Sequence, residues 1–347
     1  VYETARDTLN VMIREGSFIQ DDTDCYYIYA LTMDGRTQTG LVGCASIDDY
    51  MSGVILRHEN TLEAKEQDRI RHIDTCSAHT GPIFLTHRPD EDLRRITDRI
   101  KMQKAVYDFT SEDNIRHQVW KIDSPEDIEN ISHIYAQTPH LYIADGHHRA
   151  ASAVKVGLVR RDADPEFSGA EEYNFFLSVL FPSDELQIYG YDRVVTDKNG
   201  YTFASFLDKI KDGFDVTHIG IGPCRPAHKG EFGIYSDGTW YMAKAHSRLL
   251  SDDPVHGLDV SILQEHILAP ILGIHDPKTD PRIRFVGEIK GSAALEQAAD
   301  ASGGIAFSMH PTSMEELLRI SDSGRLMPPK STWFDPKLRS GLFIHRF

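Results

Sequence analysis

The stretch Leu141-Tyr-Ile-Ala-Asp-Gly-His-His-Arg-Ala150 constrains this chain more than any other. An apolar run of strand length meets a glycine turn and then a helical pattern, so the residues after Ala144 stand at a strand-to-helix junction. The first amides of a helix have no intrahelical partner and carry the positive end of the peptide dipoles. Phosphate and carboxylate oxygens therefore bind readily there. Capping alone would explain Asp145 and Gly146. Asp145, His147, His148 and Arg149 together exceed what a cap needs, and the carboxyl end of a strand is where sheet-based enzymes place ligands. Adjacent helical histidines point about 100° apart, which suits His147 and His148 poorly to sharing one ion. One of them joining a carboxylate from elsewhere stays open.

Charge narrows the function classes. With 37 basic against 53 acidic residues the formal net charge is −16, and the basic residues are interspersed with acidic ones. The electrostatic attraction that starts nucleic-acid binding is missing. No apolar run is long enough to span a bilayer, and at 40 % hydrophobic and 26 % charged residues the composition is that of a soluble globular protein. Cys25, Cys44, Cys76 and Cys224 lie far apart without a Cys-x-x-Cys pair, as expected of thiols in a reducing cytoplasm. The sequence opens at Val1 inside a helical pattern and without a methionine, so a natural N-terminal segment is expected to be missing.

The order of elements points to an α+β (mixed α/β) chain. Val1, Ala5, Leu9, Met12 and Ile13 have helical spacing, and Gly16 stops them. Cys25 to Met33 and Arg36 to Cys44 read as a hairpin turned at Asp34-Gly35. Ser46 with Asp49 resembles a capping box. Helices are predicted over 62–73 and 90–101, with a strand at 83–86 between them, and a strand at 118–122 precedes a helix opened by Ser124-Pro125 and ending near Gln137. After the junction helix, predicted over 147–158, Arg160 to Gly169 reads as a polar loop. Tyr173 to Phe181 and Leu186 to Val195 read as a hairpin that continues the same sheet. We therefore expect a core over 1–198 and an α+β subdomain over 199–347 with an extended tail at Met327-Pro-Pro-Lys-Ser-Thr-Trp-Phe334.

Two further residues stand out. Glu59, in Arg57-His-Glu-Asn-Thr61, precedes a strongly charged helix and is a loop carboxylate able to accept a substrate proton. Lys330 follows two prolines that stiffen the backbone in an extended form, which presents its ammonium with less ordering entropy. Lys330-Ser-Thr lacks the glycine loop of a Walker A motif, and Gly220-x-Gly222 has Arg225 in the third-glycine position. Neither a P-loop nor a Rossmann site is supported.

His140-Leu-Tyr-Ile-Ala-Asp-Gly-His-His-Arg149 and Met327-Pro-Pro-Lys-Ser-Thr-Trp-Phe334 resemble the domain-of-unknown-function family numbered 1015, over nearly the whole chain. Asp145-Gly-His-His-Arg149 also resembles the signature of free-serine kinases with the ParB/sulfiredoxin-like fold. That second likeness covers only the motif with its strand and helix. It implies a ParB/sulfiredoxin-like core with a mixed sheet, in which the turn holds nucleotide phosphates with magnesium while a separate glutamate deprotonates the substrate hydroxyl.

The expectation is a cytoplasmic small-molecule kinase, a transferase moving a phosphoryl group from ATP or ADP to a hydroxylated metabolite such as free serine. Gly146, His147, His148 and Arg149 would cradle phosphates, and Asp145 would hold Mg2+ or orient a histidine. Glu59 would be the base and Lys330 would counter transferring charge. No nucleic acid or membrane partner is expected, and a homo-oligomer is compatible with the reading. The alternatives are a nucleotide-binding regulatory module without turnover and a metal-dependent phosphohydrolase, which needs three protein ligands converging on an ion.

Overall fold

The computed structural model describes residues 1–347. In chain order the elements are α1 (Tyr2–Arg14), β1 (Tyr26–Met33), β2 (Arg36–Ser46), α2 (Ile47–Ser52), β3 (Ile55–Leu56), α3 (Glu63–Cys76), β4 (Ala78–His79), β5 (Ile83–His87), α4 (Glu91–Lys101), β6 (Tyr107–Thr110), β7 (Arg116–Ile122), α5 (Pro125–Gln137), β8 (Leu141–Asp145), α6 (His147–Ala163) and β9 (Phe175–Pro182). They continue as β10 (Ile188–Tyr189), β11 (Tyr191–Val195), α7 (Phe203–Ile210), β12 (Phe214–Gly220), β13 (Glu231–Ser236), β14 (Thr239–Ala245), α8 (Asp259–Leu263), β15 (Ile283–Gly287), α9 (Gly291–Asp300), β16 (Ile305–Met309), α10 (Met314–Asp322), β17 (Trp333–Phe334) and β18 (His345–Arg346). The chain divides into two compact units, Val1–Leu186 with Pro336–Phe347, and Gln187–Asp335.

The first unit is built on an eight-stranded sheet in the order β3-β8-β5-β9-β2-β1-β7-β6. β3 with β8 and β5 with β9 run parallel, while β5 with β8 and β2 with β9 run antiparallel. This is a mixed sheet of a mixed α/β fold. β8 lies between β3 and β5 and is buried from Leu141 to Ala144, the continuous apolar pattern that a strand covered on both faces requires. Its register with β5 shifts between Phe84, opposite Asp145, and Leu85, opposite Ile143. The extra residue, Ala144, is a bulge, and a bulge re-aims the side chain that follows it. Here that side chain is Asp145.

α6 packs on this sheet through small residues. Ala150, Ala151, Ser152, Ala153, Val154 and Val156 are buried, and Ala150, Ala153, Val154 and Val156 share a core with Leu141, Ile143, Ile83 and Leu85. Gly157 permits the closest approach, because a Cβ there would stand 2.5 Å from the Tyr173 carbonyl oxygen and 2.8 Å from Ile47 Cδ1.

Residues 336–347, the end of the sequence, form an outer strap on the same unit. β18 pairs with β4, with His345 opposite His79, and the Gly341 and Phe347 amides donate to the Thr80 and Ser77 carbonyls at 2.8 and 3.0 Å.

The second unit is α+β, with a six-stranded sheet in the order β12-β14-β13-β16-β11-β15 and a core around Trp240, Tyr235, Leu295 and Val194. The expected hairpin of Tyr173–Phe181 with Leu186–Val195 does not form. β9 pairs with β2 and β5, whereas β11 pairs with β15 and β16 in the second unit's sheet. Ser46 caps α2 by accepting from the Asp48 amide, not through a box with Asp49. α6 also runs on to Ala163, into the stretch read as a loop. No helix is long and apolar enough to cross a membrane.

Gly157→Ala is expected to cost about 1–3 kcal/mol, because a buried methyl with no room displaces backbone. Urea unfolding monitored by circular dichroism measures it, and a variant as stable as the parent would show that α6 is seated less closely than described.

Candidate functional site

α6 starts without a side-chain cap, as α1, α3 and α9 also do. Its N-cap, Gly146, has φ 95° and ψ 26°, a left-handed conformation that glycine takes without strain, and it offers no side-chain cap. The first turn holds no acidic residue, whereas those of α3, α4 and α5 each hold two. Dipole physics favours negative charge at a helix start. This one instead carries His147, His148 and Arg149.

Arg149 folds back over the turn. A Cβ on Gly146 would lie 3.2 Å from Arg149 Nε, so glycine also makes room for the guanidinium. Nη1 donates to the Pro82 carbonyl at 2.8 Å, and Nη2 stands 3.7 Å from Asp145 Oδ2. Burial pulls the guanidinium below its ordinary value, partly offset by Asp145. The side chains of Arg149 and Asp145 keep 31 % and 40 % of their exposure, enough for a solute to reach both.

The two histidines differ. His148 Nε2 accepts from the Leu62 amide at 3.0 Å, so its neutral form carries the proton on Nδ1. His147 is turned inward and is buried. Its ring meets that of His58 edge to face, with centroids 4.5 Å apart. His58 Nδ1, His58 Nε2 and His147 Nε2 are buried and have no hydrogen-bond partner in the protein. Nearly all buried polar atoms in folded proteins are paired, so three unpaired nitrogens in two touching rings are unusual, and His79 Nε2, Arg36 Nη2 and Arg94 Nε share that state elsewhere. Burial pushes His58 down to about 4 and His147 well below the usual imidazole range, the neighbouring His58, His148 and Arg57 adding to the fall at His147. Both rings are therefore neutral near pH 7.

The segment between β3 and α3 is pinned to α6 at two points, by His58 against His147 and by the Leu62 amide on His148. Glu59 lies between these pins, half-buried. Farther along, Glu66 accepts from Lys155 and the Ser152 hydroxyl donates to the Glu66 and His148 carbonyls, locking α3 to α6.

Of the residues singled out in the sequence, Asp145, Gly146, His147, His148 and Arg149 come together, and the loop of Glu59 is tied to them. Lys330 belongs to the second unit. Its backbone turns with φ 60°, rather than running extended. Its carbonyl accepts from Arg193 at 3.0 Å and its ammonium stands 5.7 Å over the Tyr191 ring. Sequence reasoning missed two residues. His58 carries no role of its own in the sequence, where its one signal is its place in the Arg57-His-Glu cluster beside Glu59. Lys337, whose Nζ lies 3.6 Å from Asp145 Oδ2, carried no local signal at all. No group of three or more His, Cys, Asp and Glu side chains is placed to hold a metal ion.

Among known proteins, the profile of the family described as "Protein of unknown function (DUF1015)" matches residues 1–261. No curated protein matches the sequence. A solved free serine kinase variant in complex with AMP is similar over 86 % of this chain and 91 % of that chain, at 14 % identity and a TM-score of 0.42. A conserved hypothetical protein from Pyrococcus furiosus aligns over 86 % of this chain and 94 % of that one, at 13 % identity and TM-score 0.40. SbnI with a C-terminal truncation, from Staphylococcus aureus, aligns over 88 % and 87 %, at 11 % identity and TM-score 0.46.

The buried imidazoles set the response to acid. The unfolded chain takes up protons near the usual value of 6.5, but folded His58 does not until about 4, and His79 holds out to about 3. Their contribution is complete above pH 6.5 and is lost as pH falls from there toward 4, by up to ~1.4 kcal/mol per pH unit for each ring. Urea midpoints measured from pH 7.5 to 4.5 should fall in that window, less steeply in His58→Phe. A flat profile would contradict the burial of these rings.

Proposed function

The chain belongs to the DUF1015 family of unknown function, and from that premise we propose that it is a small-molecule phosphotransferase that takes a phosphoryl group from ATP or ADP and gives it to the hydroxyl of a small metabolite, free serine being the first candidate. The observation that carries the reading is the α6 start, where Arg149 lies across an uncapped glycine turn beside Asp145 and the His147 ring meets that of His58 with unpaired nitrogens. Support also comes from the likeness of Asp145-Gly-His-His-Arg149 to the free-serine kinase signature.

In this reading the first amides of α6 and the Arg149 fork hold the phosphates. Arg149 is steadied by the Pro82 carbonyl, so little side-chain entropy remains to be lost on binding. His147, kept neutral, adds no charge that would have to be desolvated, and its Nε2 finds the partner it lacks in the protein. Glu59 takes the proton of the acceptor hydroxyl as its oxygen attacks phosphorus. The new oxygen–phosphorus bond forms while the bridging bond to the nucleotide breaks, and the nucleotide leaves with the electron pair. A magnesium ion, which neutralises phosphate charge in such reactions, would be held by Asp145 with the remaining ligands from phosphate oxygens and water, the mode that needs fewest protein groups.

Phosphorus NMR of the protein with magnesium, ATP or ADP, and serine within a pool of hydroxylated metabolites tests the reading through a new phosphomonoester resonance. Glu59→Gln should leave nucleotide affinity intact and lower turnover about 100-fold or more. Arg149→Lys should weaken nucleotide binding roughly tenfold by losing the bidentate fork. Nucleotide binding without turnover on any acceptor would favour a regulatory module, and the absence of nucleotide binding would sink the proposal.

A further inference from the structure

Asp145 Oδ2 is shared by two cations, Arg149 Nη2 at 3.7 Å and Lys337 Nζ at 3.6 Å. Both distances exceed a hydrogen bond, so each is a loose ion pair. Two cations thus converge on one carboxylate oxygen beside the positive end of α6, in a chain of net charge −16. Lys337 comes from the strap. Gln38 Nε2 holds the Pro336 carbonyl at 3.2 Å and the Gly341 amide holds the Thr80 carbonyl at 2.8 Å, so Lys337 lies between two fixed points. Between them Arg339 also reaches Asp113 at 2.6 Å. Ser340 lies against Gly81, where a Cβ would meet its Oγ at 2.7 Å and Arg149 Nη1 at 3.6 Å. The strap is thus seated on the same loop that steadies Arg149.

We infer that Lys337 is the second anion-binding cation of this site, carried to the α6 start by the C-terminal strap and exchanging Asp145 for a phosphate oxygen when a phosphorylated ligand enters. The inference rests on the reading of that start as a phosphate site, and it adds a ligand-contacting residue from outside the region matched by the family profile, 1–261. The Lys337 side chain keeps 47 % of its exposure, so as a surface ion pair it contributes little to stability. Two charge-bearing arms converging on one oxygen, with the backbone of each tied down, make a pincer whose natural occupant is a di-anion or higher. Inorganic pyrophosphate, which carries the phosphoanhydride and the charge of a nucleotide without the nucleoside, is the probe.

Isothermal calorimetry with pyrophosphate on the full chain tests this. Lys337→Gln should weaken binding about tenfold, Lys337→Glu should remove it, and Lys337→Arg should restore at least part of it, while thermal melting stays close to that of the parent in all three. If the parent binds pyrophosphate and Lys337→Gln binds it equally well, Lys337 is only a surface ion pair and the inference falls while the phosphate site stands. If pyrophosphate binds in a Lys337-dependent way but ATP and ADP do not, the inference holds and the nucleotide-dependent reading falls. If the parent binds no pyrophosphate, both fall.

Discussion

Gly146 turns the chain from the buried strand β8 into the longest helix of the first unit without a side-chain cap, and the rest of the site follows from that turn. A left-handed φ of 95°, which glycine takes without strain, opens α6 with no side-chain cap on its first amides. The missing Cβ lets Arg149 lie back across the turn. The bulge at Ala144 sets Asp145 at the rim. An aspartate or serine cap would satisfy the helix from within. Here the first turn has no such cap, and Arg149 and Lys337 both reach Asp145 beside it.

Beside that turn the structure accepts a cost. Two imidazoles are buried in contact, with three ring nitrogens unpaired, and each orphan of this kind opposes folding by roughly 1–3 kcal/mol. Their neutrality is what makes the arrangement tolerable, since charged rings so close would repel in a medium that screens poorly. The compensating burial lies behind α6, in the Ala, Val, Leu and Ile core between helix and sheet. A rigid scaffold holding an unsatisfied polar pair is the pattern expected where stability has been traded for a site.

The junction was legible because everything that defines it is local: an apolar run, a glycine, and polar residues at the first helical positions. The first hairpin, the Ser124 cap and the helix after it were legible for the same reason. What escaped was non-local. Leu186 to Val195 alternates as a strand does, but alternation names no partner, and β11 pairs with strands far away in sequence. β6 and β12 are exposed edge strands whose patterns carry few buried positions. His58 reaches His147 because β3 joins β8 in parallel, a pairing that no motif announces. Lys337 arrives by a strap that crosses back from the end of the sequence, and only the assembled unit shows that its ammonium and Arg149 share one oxygen.

The claim on which the account stands is that phosphate oxygens bind the bare amides of α6. A crystal structure of the protein grown with ADP tests it most directly. The account predicts phosphate oxygens within about 3 Å of the His148 and Arg149 amide nitrogens, with the Arg149 fork on the same group. Nucleotide bound elsewhere, or a first turn of α6 closed over by protein atoms while ADP occupies another cleft, would contradict it.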